Sequence, residues 1–393
     1  MGYIDTDTHV IDPDECWDYL DPSERDLRPV VVEIAPTAPG LPPKQMYLIG
    51  ETLCRRFPTD GRAGGFGAEY TPEVSHLRDP SVRLRKMDAL GIDVQIIIST
   101  NFIAAEIDNP LHEAAIMRSW NRWAAQATAP GKGRLPWVLV CPTRTVERAI
   151  EELEFGARNG ACGVMMKGVE HGLFLSDPYF HPIYQKAEEL NLSIVVHQGA
   201  ARHHIEGLGI TRRPASMAHN LHYAATVMQA FYAVLESDLY KRFPRLRFCF
   251  VESGAEWAPF VFHHFQRMRA ARNPESFTRT SRGPSRIITP MDPKEEMARR
   301  NTYISCETDE HLPHLVSLLG EDHITVGTDM CHNDNGSDPL AHTVLMERED
   351  LDKRVARKIV DTNGRRAFGL PMDFRPTDSL KPEDVRDVDL AVL

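Results

Sequence analysis

Four residues of this 393-residue chain have the types and positions that would suit a divalent metal ion. Asp7 and His9 stand two apart in YIDTDTHV. Residues i and i+2 of an extended segment project to the same side, so a carboxylate oxygen and an imidazole nitrogen can meet one ion there. His197 closes the apolar run LSIVVH, and Asp329 closes HITVGTD. Taken singly, a His or Asp at a strand end is more often a hydrogen-bonded structural residue than a ligand. Brought to one mouth, two imidazoles and two carboxylates supply a catalytic metal site with an open position for water. Rival chemistries lack their residues. There is no G-x-S-x-G elbow and no P-loop, and the cysteines inside the apolar strand-like runs lack an activating basic context.

Residues so far apart in sequence need a scaffold that returns each segment to one point. Eight short apolar runs do this, each followed by a polar residue and a stretch with helical spacing: Tyr3 to Asp7, Val94 to Thr100, Leu135 to Pro142, Ala161 to Lys167, Leu192 to His197, Leu246 to Glu252, Thr302 to Glu307 and His323 to Asp329. Runs such as VQIIIS and FCFVE lack polar alternation, as parallel strands covered on both faces do. Strand then helix, eight times over, predicts an α/β fold, the (β/α)8 TIM barrel. An open doubly wound sheet is the alternative, but no G-x-G-x-x-G follows the first strand. A single barrel is expected over residues 1–370, with a hairpin-bearing insertion at 29–72 after the first strand and a polar insertion at 268–300 between strands six and seven. Insertions that follow a strand emerge at the C-terminal face and can wall a site there. Residues 371–393 read as a tail, disordered or packed on a neighbour.

The charge balance, 45 basic against 56 acidic residues with no basic block, argues against nucleic acid and membrane surfaces as partners. A small-molecule substrate and the chain's own subunits are the expected partners. No 18-residue apolar stretch or signal-like N-terminus is present, which suggests a cytoplasmic location. Seven cysteines without a C-x-x-C pair disfavour a disulfide framework or zinc ribbon.

The D-x-H of the first strand, IVVHQGA, FVESGAEW, VGTDMCHND and TNGRRAFGL together resemble the amidohydrolase superfamily. Within it they resemble the amidohydrolase-2 branch, which includes aminocarboxymuconate-semialdehyde decarboxylase, resorcylate-type decarboxylases and assorted hydrolases. The resemblance runs from about residue 3 to 370 and implies the same barrel. It further implies one divalent metal ion, usually Zn or Mn, on Asp7, His9, His197 and Asp329, and a symmetric homodimer. Mixed His and carboxylate ligation also suits Fe or Co. The chain departs from the better-known decarboxylases twice. Asp7 stands where they offer His or Glu, and Glu252 stands where they often carry a His beside the metal. Glu252 could be a ligand, a general base or a partner orienting a ligating His. The expected activity is therefore a hydrolase acting on a small cyclic or aromatic carboxylate or carbonyl compound. Asp329 would take the proton of a metal-activated water, and His197 and Glu252 would assist the carbonyl. The alternative is a non-oxidative decarboxylase using the same ligands, and a third reading is a barrel that has lost its chemistry. Lys167 would contact an anionic substrate rather than bridge two metals, and His332 would hydrogen-bond the substrate or metal-bound water. Glu307 would support the ligands. His219 and His222 sit on a predicted helix, where His222 would line the pocket.

Overall fold

The computed structural model describes residues 2–35, 43–50, 52–56, 70–103, 105–199, 218–272, 277–280, 283–286, 291–332 and 336–377. All eight apolar runs are strands of one parallel sheet: β1 (Tyr3–Val10), β2 (Ile92–Ser99), β3 (Trp137–Val140), β4 (Ala161–Met166), β5 (Ser193–His197), β6 (Phe248–Val251), β7 (Thr302–Cys306) and β8 (Ile324–Val326). Each pairs with its successor in sequence. The ring closes where Asp329 N–H donates to the Asp7 carbonyl at 2.9 Å and His9 N–H donates to the Met330 carbonyl at 2.8 Å. The fold is the (β/α)8 TIM barrel. Strands β3, β5, β6, β7 and β8 are buried throughout, because helices cover the outer face of the ring and side chains fill its interior.

Two strand ends differ from the sequence expectation by three residues, the others by no more than two, and both of the larger differences shape the mouth. β1 runs on to Val10 through a register shift between Asp5 and Thr8, so Asp7 and His9 lie inside the strand. β8 stops at Val326, which leaves Asp329 on the loop beyond it. Gly327 explains the early stop. A Cβ there would meet the Asp7 Cβ at 2.3 Å, so the two backbones cross closer than a side chain allows. Gly327→Ala is expected to cost about 1–3 kcal/mol of stability, the usual scale of overpacking. Thermal unfolding measures this, and an unchanged Tm would mean that the crossing yields freely.

The first insertion is a three-stranded antiparallel sheet, Val30–Ile34, Lys44–Ile49 and Thr52–Arg55. It contains the expected hairpin and adds a third strand. Its Tyr47 ring meets Trp17 edge-on at 5.7 Å, and Trp17 meets Phe102, just beyond β2, at 6.4 Å. The sheet is thus anchored at the C-terminal side of the barrel. Residues 36–42, 51 and 57–69 of the insertion lie outside the described residues. In the second insertion, Phe277–Thr280 pairs with Gly283–Arg286, and a helix follows at Pro293–Arg299. At the start of the tail, Phe374 packs on the barrel's own core. Residues 378–393 lie outside the described residues. All seven cysteines are buried and none is in a disulfide. No helix of the described residues is long and apolar enough to cross a membrane.

Candidate metal centre at the barrel mouth

Asp7 and His9 of β1, His197 closing β5, Glu252 just after β6, and Asp329 and His332 after β8 converge at the mouth, and all six are buried. Ligand-capable atoms of Asp7, His9, His197 and Glu252 lie within 4.8 Å of one another, and so do those of His9, Glu252, Asp329 and His332. The two imidazoles face each other, Nε2 to Nε2, at 3.1 Å. Asp7 Oδ1 is 3.4 Å from His9 Nε2, and Asp329 Oδ1 is 3.3 Å from the same nitrogen. His197 Nδ1 lies 2.6 Å from the Gln198 carbonyl. It must donate there, which leaves the Nε2 lone pair turned toward the cluster.

This arrangement fits a cation. Asp7 Oδ1 and Glu252 Oε2 lie 3.6 and 2.8 Å from His197 Nε2, yet neither meets an in-line hydrogen-bond donor. Buried carboxylate oxygens in that condition are costly unless a positive charge joins them. The mixed nitrogen and carboxylate donors suit a borderline divalent ion. Strained backbone aims the side chains: Glu252, Asp329 and Cys331 take φ values of 57°, 51° and 81°, a region non-glycine residues rarely occupy.

The metal-free electrostatics agree. Burial opposes ionisation of Asp7, but the imidazoles of His197 and His9 outweigh it and hold the carboxyl well below its usual range. Burial likewise opposes charge on His197, and Glu252 and Asp7 overcome it, raising the imidazole well above its ordinary value. Burial, then Glu310, Glu252 and Asp7, push Glu307 up to about 8. A proton on His197 and a divalent ion are therefore alternative ways of balancing these carboxylates. The stabilisation the proton brings is fully present below the unfolded-state pKa of His and is lost as pH rises through the raised folded value. Metal binding near pH 7 is accordingly expected to release about one proton and to tighten with rising pH until that value is passed. Titration calorimetry in buffers of different ionisation heat measures the release, and a buffer-independent heat would contradict it.

Below the cluster lies a network that sequence reading missed. Asp5 accepts from Thr328 N–H at 2.8 Å, from Thr328 Oγ1 at 2.6 Å and from Gln95 Nε2 at 3.1 Å. Arg83, fully buried, donates to Gln95 Oε1 and to the His9 carbonyl, both at 2.8 Å. Ser337 Oγ donates to Asp329 Oδ2 at 2.7 Å, and Thr100 Oγ1 is 3.0 Å from His332 Nε2. A charged residue at Asp5, two before Asp7 in an apolar strand, was the available signal.

Lys167 is buried at the end of β4, but its Nζ donates to the Ala105 carbonyl at 2.8 Å and lies 3.8 Å from Glu170 Oε2. It thus belongs to a neighbouring polar group. His222 and His219 fall on the helix Ala218–Glu236, but their side chains lie outside the described residues, as do His203 and His204. His263 and His264 are exposed.

A (β/α)8 barrel with a buried His and carboxylate cluster able to hold a divalent metal at its C-terminal mouth defines the class of the protein. The amidohydrolase family model, amidohydrolase-2, matches residues 4–370, and the chain belongs to that enzyme family. A curated relative, the 2-amino-3-carboxymuconate-6-semialdehyde decarboxylase of Dictyostelium discoideum, is 23% identical over 257 residues, 65% of this chain and 67% of its own. An amidohydrolase structure from Mycobacterium avium subsp. paratuberculosis superposes with a TM-score of 0.74 at 18% identity, covering 94% of this chain and 98% of that one. The 5-carboxyvanillate decarboxylase of Novosphingobium aromaticivorans, solved with manganese and a nitrobenzoic acid ligand, has a TM-score of 0.58 at 16% identity, covering 79% of this chain and 85% of that one.

Proposed function

We propose that this protein is a metal-dependent carboxy-lyase that removes carbon dioxide from a small aromatic or muconate-like acid. The observation that carries the reading is the match over 257 residues to a decarboxylase, combined with a buried His and carboxylate cluster at the mouth. Asp7, His9, His197 and Asp329 are the residues that would hold the ion, with Zn, Mn, Fe and Co all compatible. A bound ion supplies Lewis-acid attraction for a substrate carboxylate and its neighbouring oxygen. Asp329 Oδ1 lies 2.7 Å from His332 Nδ1, so a proton can be held between them and delivered to the carbon that loses carbon dioxide. Thr100 fixes the far side of the His332 ring. Lys167 would meet an anionic substrate through the N–H groups that it does not give to the Ala105 carbonyl. His222 lining the pocket and a symmetric homodimer complete the proposal, and light scattering checks the dimer.

Glu252 favours hydrolysis as a second reading. Its carboxylate, 2.8 Å from His197 Nε2, adds negative charge where a decarboxylase must receive an anion and stands ready to take a proton from water. One experiment separates the two. With candidate aromatic and muconate-like acids in ¹⁸O-labelled water, release of carbon dioxide and a solvent-derived proton on the product carbon supports the lyase. Solvent oxygen appearing in the product without carbon dioxide release overturns it.

A further inference from the structure

A cavity of about 410 Å³ lies at the foot of the barrel, at the opposite end of β2 from the metal centre. Arg134 in its wall donates to the carbonyls of Ile92 and Asp93, the first residues of β2, at 2.9 and 3.0 Å, whereas Thr100, just past the end of that strand, meets His332. Three segments build the cavity. The helix Pro80–Leu90 contributes Ser81, Leu84, Arg85 and Asp88, spaced i, i+3, i+4 and i+7 and therefore on one face. The turn at 130–132 before β3 and the start of the tail at 374–377 complete the wall. Gly133 seats the tail: its φ is 88°, and a Cβ there would stand 3.4 Å from the Phe374 ring, so the aromatic closes directly onto backbone. The volume is that of a small-molecule site.

The charge of the wall narrows what can enter. Four cations, Arg85, Lys132, Arg134 and Arg375, stand against one carboxylate, Asp88. Asp88 is already taken, 2.7 Å from the buried Arg134 guanidinium. Asp93 and Asp361 lie 3.9 and 3.8 Å from Arg375, but both also face the buried Arg365, at 3.7 and 2.6 Å. Arg85 is steadied by Ser81 one turn back, whose Oγ accepts from its guanidinium at 3.1 Å. A wall of this sign runs against the chain's net charge of −11. Between the cations stand Leu84, Pro130, Phe374 and Pro376, which offer apolar surface and no charge.

We infer that this cavity binds a small organic anion with an apolar body, of which an aromatic carboxylate is the simplest form. Its ring lies against Leu84 and Phe374, and its carboxylate faces Arg85 and Arg375, whose planar guanidinium groups match a carboxylate's two oxygens. The site is separate from the metal centre and does not rest on the function proposed above.

The test titrates the whole chain with 1-naphthoate by calorimetry, before and after chelation of metal. One naphthoate per chain is expected that survives chelation, with a dissociation constant of about 0.1–1 mM for a ligand of this size. Its affinity should fall several-fold as salt rises from about 0.05 to about 0.5 M. Arg85→Glu reverses an exposed charge, so a thermal melt will find the fold intact, and the variant should bind at least about tenfold more weakly. The neutral naphthalene-1-carboxamide should lose a similar factor on the wild type. Binding that disappears on chelation places the probe at the metal centre and overturns the inference. Equal binding by Arg85→Glu or by the amide overturns it as well, because the cations would then play no part. Heat that never saturates, or no heat at all, does the same.

Discussion

Replacing Asp329 with Asn is expected to lower turnover by about 10³-fold, within the usual range for losing a group that handles the reaction's proton. The substitution keeps the shape of the side chain and an oxygen for Ser337 Oγ, which now donates to Oδ2 at 2.7 Å. What disappears is the negative oxygen that faces His332 Nδ1 at 2.7 Å and His9 Nε2 at 3.3 Å. The loss should therefore fall on kcat while the melting temperature moves little. Steady-state kinetics and a thermal melt on the same preparation check both halves. Turnover within tenfold of the wild type would remove Asp329 from the chemistry.

Arg83→Met should produce the largest loss of stability, about 3 kcal/mol, although Arg83 touches no ligand side chain. Its guanidinium is fully buried and bonds Gln95 Oε1 and the His9 carbonyl, while Gln95 in turn donates to Asp5. Methionine fills much of the volume but leaves the carbonyl and the amide oxygen without donors inside the barrel. Because the carbonyl belongs to His9, the same change should weaken metal binding through displacement of the β1 backbone. Denaturant unfolding measures the first effect and Mn(II) calorimetry the second. Full stability in the variant would show that the pocket beneath β1 admits water to replace the lost donors.

The sequence by itself determined the barrel and the identity of the metal-capable residues on β1 and β5. Both depend on short-range regularities. A strand buried on both faces must be apolar throughout, so eight such runs separated by helical periods are countable. The i, i+2 geometry of a strand likewise puts Asp7 and His9 on one side before any tertiary contact is known, and their side chains do meet, 3.4 Å apart. The carboxylate at Glu252 was legible as a departure from the decarboxylase pattern, but its reach was not. Its direction follows from a φ of 57° just past the end of β6, and that conformation is imposed by the loop's packing.

Tertiary structure decided which of the remaining residues at the mouth join the site. Lys167 and Glu252 both stand one residue past the end of an apolar strand, yet Glu252 enters the cluster while the Lys167 ammonium turns to the Ala105 carbonyl. A long flexible side chain takes the nearest buried acceptor, and that acceptor comes from a loop 62 residues away. His332 shows the converse. Its place three residues after Asp329 suggested a hydrogen bond at the mouth but not where its ring would lie. Positive φ at Asp329 and Cys331, and the crossing at Gly327 that ends β8 early, fold that loop back until the His332 ring lies on His9. Periodicity reports which face of an element is buried, whereas the aim of a side chain beyond the element's end depends on backbone angles that only the closed ring enforces.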